Sequence, residues 1–492
     1  MVFSSILFLC IYLPVMIIGY YILPKKLKNV FLLLGSLFFY AWGEPKYVLL
    51  ILLSIAGNYC FGILISRLAG KPEEKKQQSA KKAVLAAAIL YNLGILIYFK
   101  YFGLLVTTVD DLFHADLAIP EIILPIGISF YTFKSISYLI DVYRIEGTAD
   151  ESGAIRTLVE KNPIDLALYV SMFPEIMSGP ISRYQDIKGS LKEHVLSASA
   201  FAAGTERFII GLAKKAVIAN SIGEVADSIF ASEFSYMGTP VAWLGAILYT
   251  LQIYYDFAGY SDMAIGLGKI FGYDLMENFN YPYISKSVTE FWRRWHISLS
   301  SWFRDYLYIP LGGNRRGNVY FNLFVVFLAT GIWHGAAWGF LVWGLWHGIF
   351  MLIERAFKKK EMKFRLPGFV KWLYTMLVVT FGWVLFKLED LEKALSYIGV
   401  MFHTKAHPYT AFSLRYYLDN KIIFILIIAV LAAVPWAQIL PRRIGSAIAA
   451  ASIAEPGKPA CIVKRVLLTA LLLLSMIFIV NSTYNPFIYF KF

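Results

Sequence analysis

One feature constrains this chain more than any other: it returns again and again to unbroken apolar runs. Each is close to the ~20 residues that carry a helix across the hydrocarbon core of a bilayer. Val2–Leu23 contains no charge, and Lys25, Lys26 and Lys28 follow at once. With no water in the bilayer core, only helices or closed barrels satisfy their own backbone. A barrel would show short alternating segments, which these runs are not. With 58% hydrophobic and 16% charged residues and a mean hydropathy of +0.60, the expectation is an all-α polytopic membrane protein. A single integral-membrane domain should cover residues 1–492.

The net charge of +13 does not point to nucleic acid, because most Lys and Arg residues sit in short loops between apolar runs. That is the positive-inside pattern, which also suits anionic lipid headgroups, so membrane lipids are the expected surroundings. The loop with Lys25, Lys26 and Lys28 reads as cytoplasmic, as do those with Arg67, Lys71, Lys75, Lys76, Lys81 and Lys82, with Arg355 to Lys371, and with Arg442 to Arg465. The acidic loop with Asp110, Asp111, Asp116 and Glu121 reads as outside, as do both termini. Cys10, Cys60 and Cys461 have no metal-like spacing and are too few for a disulfide framework. Val2–Leu23 lacks a basic leader and a cleavage site, so it reads as a retained span.

Further spans are expected from about Tyr47 to Ile65, from about Ala83, and near 372–387, 421–440 and 466–484. Residues 124–144 carry Ser129, Thr132, Lys134, Ser135, Ser137 and Asp141, which should face the protein interior or a wet cavity. Between about 145 and 235 the apolar pieces, such as Leu166–Met177 and Phe208–Ala219, are too short to span and read as re-entrant or core helices. Gly266, Gly268 and Gly272 follow no strand, so they read as packing glycines rather than a phosphate loop.

Chemistry concentrates between Glu290 and His347, which holds three of the seven histidines (His296, His334, His347) and seven of the 12 tryptophans. An ionisable ring inside a membrane is a functional candidate, the alternative being a core histidine bonded to a backbone carbonyl. Gly331, Gly335 and Gly339 recur at four-residue steps, as do Gly344 and Gly348, the spacing of a close-packing helix face. Packing accounts for the glycines but not for a titratable ring among them. Arg316 and Arg355 both look cytoplasmic, and the apolar stretch between them barely allows two crossings. His334 falls near its midpoint and should lie deep in the membrane, with His296 near the inner face.

A desolvated histidine stays neutral and can act as a general base on a hydroxyl. His296 is expected on a short helix at the cytoplasmic surface, where Arg293, Ser300 and Arg304 share its face if the segment is helical. With Arg294 they would hold the phosphates of an anionic donor. The alternative is a basic helix snorkelling to the headgroups.

These residues resemble the membrane-bound O-acyltransferase superfamily, most closely its bacterial alginate O-acetyltransferase branch. The matching text is LPIGISFYTFKSISYLIDVYR, YYDFAGYSDMAIGLG, NFNYPYISKSVTEFWRRWHISLSSWFRDYLYIPLGGNRRG and GIWHG, with the closing NPFIYFKF, the opening MVFSSILFL and FYAWG near residue 40. The resemblance implies a multi-helix bundle with re-entrant segments and a central funnel. It implies two signature histidines, His296 and His334, with His334 catalytic; His347 is outside that carry-over and reads as structural. It further implies an acyl group taken from a cytosolic thioester, acetyl-CoA, with no bound cofactor or metal. The group would pass to an extracytoplasmic polysaccharide of the bacterial envelope, alginate-like, another exopolysaccharide or peptidoglycan, through a separate serine esterase-like partner. Within the superfamily the alternative is D-alanyl transfer towards teichoic acid; outside it, a polysaccharide or lipid transporter, whose repeated broken helices are not seen here.

Overall fold

The computed structural model describes residues 1–69, 75–114, 122–148, 155–359, 366–403, 412–439, 459–486 and 488. Lys71, Asp116, Glu121, Lys360, Lys363, Arg365, Arg442, Arg443 and Lys458, singled out above in whole or as part of a loop, lie outside the described residues, as does most of NPFIYFKF after Pro486. Every regular element among the described residues is helical. The described residues form two compact units: one within 1–205 and 264–276, the other within 206–263 and 277–488.

The first unit contains α1 (Leu13–Ile22), α2 (Lys25–Gly43), α3 (Val48–Arg67), α4 (Lys75–Phe113), α5 (Ile128–Ile145), α6 (Pro163–Ser171), α7 (Tyr184–Glu193) and the start of α8 (Ala198–Ala213). A π-turn, Phe8–Tyr12, leads into α1, so the first apolar run is helical over Phe8–Ile22 and shorter than a full span. Pro14 at the start of α1 has no N–H to give to a continuous α ladder, which is where the winding changes. Polar groups knit the helices. Asn58 on α3 and Asn92 on α4 exchange amide hydrogen bonds of 2.7 and 3.0 Å, and Asn29 donates to Asp165 at 2.7 Å. The polar residues of α5 are buried as expected: Ser129, Thr132, Lys134, Ser135, Ser137 and Asp141 are all 5% exposed or less. Lys134 is neutralised inside the unit by Glu175 at 2.7 Å.

In the second unit follow α9 (Asn220–Ala231), α10 (Thr239–Phe271, of which 239–263 lie here), α11 (Val288–Arg294), α12 (Ile297–Phe303), α13 (Val319–His334), α14 (Trp338–Lys359), α15 (Gly368–Leu388), α16 (Leu391–Phe402), α17 (Leu414–Tyr417), α18 (Asn420–Ala432), α19 (Trp436–Ile439) and α20 (Pro459–Asn481). Among the described residues, five helices are long and apolar enough to cross a membrane: Pro45–Arg67, Lys75–Phe113, Trp338–Lys358, Gly368–Leu388 and Cys461–Asn481. The expected span at 421–440 is instead the short α18, ended by the turn before Pro435. Asp256 and Asp262, isolated by sequence in an apolar setting, are paired. Lys215 meets Asp256 at 2.5 Å, and Lys214 and Arg207 both meet Asp262 at 2.6 Å. Gly211 and Gly259 bring these backbones together, since a Cβ on either would lie within 2.8 Å of the other's carbonyl oxygen.

Candidate active site

The apolar stretch between Arg316 and Arg355, expected as two crossings, folds as α13 and α14; α14 is long and apolar enough to cross a membrane, α13 is shorter, and His334 is the last residue of α13. The chain then turns at Gly335–Ala337 and returns as α14. The four-residue glycine steps therefore do not form one helix face. Gly335 is extended, with φ −177°, and breaks the series. Instead Gly331 opposes Gly344 across the hairpin, where a Cβ on Gly331 would stand 2.6 Å from the Phe340 carbonyl oxygen. The glycines make a close crossing, and that crossing fixes where the end of α13 lies.

His334 is 5% exposed and packed in rings. Trp333, Trp343 and Phe386 contact it edge-on, with centroids at 4.9, 4.8 and 5.3 Å. The density of tryptophan in this stretch was the sequence signal for this cage, though not for its members.

His296 is placed by backbone geometry. The expected single helix is two, α11 and α12, broken at His296, whose φ of 44° lies in the left-handed region. Arg293, Ser300 and Arg304 consequently do not share a continuous helix face with it. Asn278 holds the break. Its backbone carbonyl accepts from Ile297 N–H, and its side-chain oxygen accepts from Ser298 N–H at 3.1 Å and Ser298 O–H at 2.7 Å. These bonds cap α12 from outside, in place of an N-cap side chain. The same oxygen lies 3.2 Å from His296 Nδ1. An amide oxygen only accepts, so Nδ1 carries the proton and Nε2 carries the lone pair. Nε2 is buried and has no hydrogen-bond partner among the described residues. Burial, with Phe257 at 4.7 Å on one side, pushes the pKa of His296 down to about 3, so the ring is neutral at physiological pH. Asn278 was missed in sequence because no spacing rule says which loop returns to cap a helix 18 residues on.

At the start of α11, Ser287 Oγ accepts from Glu290 N–H at 2.9 Å, and Glu354 of α14 accepts from Val288 and Thr289 N–H. These bonds satisfy the amides that a helix start leaves open. Of the three arginines, Arg294 pairs with Glu290 at 3.0 Å and Arg304 with Asp305 at 2.6 Å. Arg293 is exposed, with no carboxylate partner among the described residues. His347, on α14, is 0% exposed. No cluster of His, Cys, Asp or Glu with the makings of a metal site occurs among the described residues.

The sequence profile of the membrane-bound O-acyltransferase family matches residues 113–388, which include all three of these histidines. The chain belongs to the membrane-bound O-acyltransferase family. Its relatives include the probable alginate O-acetylase of Pseudomonas putida, 41% identical over 82% of this chain and 80% of the relative. The peptidoglycan O-acetyltransferase of Helicobacter pylori is 35% identical with the same coverage. The teichoic acid D-alanyltransferase of Bacillus subtilis is 30% identical over 53% of this chain. As a member of this family, the chain is a multi-pass membrane acyltransferase.

Proposed function

We propose that this chain takes an acetyl group from a cytosolic thioester, acetyl-CoA, and passes it across the membrane for O-acetylation of an extracytoplasmic envelope polysaccharide. In this reading His334 is the general base. Its neutral imidazole removes the proton of an acceptor hydroxyl as that oxygen attacks the acyl carbon; the C–O bond forms, the C–S bond breaks, and the proton leaves with the thiol. His296, kept neutral by burial and fixed in one tautomer by Asn278, is the second histidine of the site. Arg293, Arg294 and Arg304 hold the donor phosphates, and a serine esterase-like partner completes transfer to the polymer.

The observation that carries the reading is the setting of His334: a titratable ring at the tip of a glycine-crossed hairpin, enclosed by aromatic rings, where an apolar residue would pack without desolvation. Extensive identity to proteins named as acetylases of two different polysaccharides supports acetyl over D-alanyl transfer.

The test is ester-bound acetate on the envelope polysaccharide in cells carrying wild type or His334→Ala, with thiol release from acetyl-CoA in membranes, both normalised to folded protein. His334→Ala should fold and should lose about 10²–10⁴-fold in transfer, as expected for a lost acid–base group. Near-wild-type transfer would remove the base assignment.

A further inference from the structure

His347 has no role in the reading above, and its surroundings are unusual. It is fully buried, yet neither ring nitrogen has a hydrogen-bond partner among the described residues. Trp292 and Trp343 meet it edge-on, with centroids at 5.0 and 5.4 Å. Their indole Nε1 atoms are buried too, and likewise have no partner among the described residues. Gly382 of α15 borders the ring on another side, where a Cβ would stand 2.5 Å from Nε2.

Phenylalanine would fill such a place without polar atoms to satisfy, so four buried nitrogens in one cluster call for a ligand. The donor count says which kind. A neutral imidazole offers one donor and one acceptor, and each indole offers only a donor. Three donors against one acceptor cannot pair among themselves. A water molecule accepts two hydrogen bonds and donates two, which supplies what the cluster lacks.

We propose that His347, Trp292 and Trp343 bind internal water and that His347 is thereby a positioning residue for His334. The link is Trp343, four residues before His347 on the same face of α14. Its ring contacts His347 at 5.4 Å and His334 at 4.8 Å, with Trp383 stacked at 6.0 Å. Anchoring Trp343 through its N–H fixes the wall on which the His334 imidazole rests. The inference depends on His334 being the base.

The discriminating variant is His347→Phe in the full chain, because it keeps shape and removes the unmet nitrogens. If His347 only packs, this variant folds and transfers acetyl at the wild-type rate. If it positions Trp343, the variant keeps its folded yield and its half-saturation for acetyl-CoA. Its maximal thiol release then falls by about 10–100-fold, the scale of a small misplacement of a catalytic group, and its pH profile shifts. His347→Gln, which can still bind water, should recover most of the loss. Wild-type maximal rate in His347→Phe overturns the proposal. Should His347→Phe fail to fold, Trp343→Phe against His347→Gln decides: loss in the first with near-normal rate in the second supports it, and equal rates overturn it. A dead His334→Ala beside a fully active His347→Phe sinks this proposal alone, whereas an active His334→Ala sinks the base assignment.

Discussion

His296 and His334 touch the same indole. The ring of Trp333 lies 6.2 Å from His296 and 4.9 Å from His334, and both contacts are edge-on. His296 stands at the break between α11 and α12, and Trp333 sits beside His334 at the end of α13, so the hairpin delivers the shared ring. One indole therefore borders both imidazoles.

The first prediction uses the neutral state of His296. Its folded pKa, about 3, lies below the ordinary 6.5. Between those values the unfolded chain binds a proton that the folded chain does not, so stability is intact above about pH 6.5 and declines as pH falls. One such group contributes up to about 1.4 kcal/mol per pH unit in that window. The unfolding midpoint in detergent should fall from pH 7 to pH 4 by more in wild type than in His296→Asn, a residue that tolerates the left-handed backbone. Parallel curves for the two proteins would contradict a buried neutral His296.

The hairpin crossing makes the second. Gly331→Ala must push its methyl against the Phe340 carbonyl, which is backbone and cannot swing away. Overpacking of this kind costs about 1–3 kcal/mol. Gly94→Ala is the control, for nothing lies within 4 Å of a Cβ there, and alanine gains up to about 1 kcal/mol over glycine within a helix. Midpoints that move together in the two variants would refute a backbone-to-backbone crossing.

Donor binding supplies the third. Glu290 and Asp305 partly neutralise Arg294 and Arg304, whereas Arg293 is exposed, with no carboxylate partner among the described residues. Arg293→Gln should therefore raise the half-saturation for acetyl-CoA more than Arg304→Gln does, with maximal rates close to wild type. A fall in maximal rate at constant half-saturation would separate these arginines from the donor phosphates.

The fourth concerns topology. Single cysteines placed at Lys75 and Lys359 should resist a membrane-impermeant thiol reagent on intact cells, while one at Asp111 should react, following the distribution of Lys and Arg. External labelling at position 359 would invert the C-terminal half.

Class and chemistry were legible because both are written in local text. The apolar runs gave the helices of five full-length spans, and the burial of Lys134 and its polar neighbours on α5 followed from the cost of facing them to lipid. The hairpin around His334 followed from loop charge and length. What was not legible depends on non-local partners. Asn278 caps α12 across a loop, and its bonds turn one expected helix into two. Gly335 leaves the helix, so a four-residue period that looked like one face became a crossing of two. Asp256 and Asp262 are answered by lysines some forty residues earlier, which no local pattern links to them.

Those two lysines bear on how the protein is made. Lone aspartates near a helix centre each cost about 2.5–3.5 kcal/mol to insert, and α10 is not among the helices apolar enough to cross a membrane on composition alone. Lys214 and Lys215, however, open a π-turn, Lys214–Ala219, and each reaches an aspartate of α10. They leave the ribosome first. The counter-charges of Asp256 and Asp262 are therefore already made when α10 emerges, so neither aspartate has to wait for its partner. The order of synthesis thus matches the order in which the charges need one another.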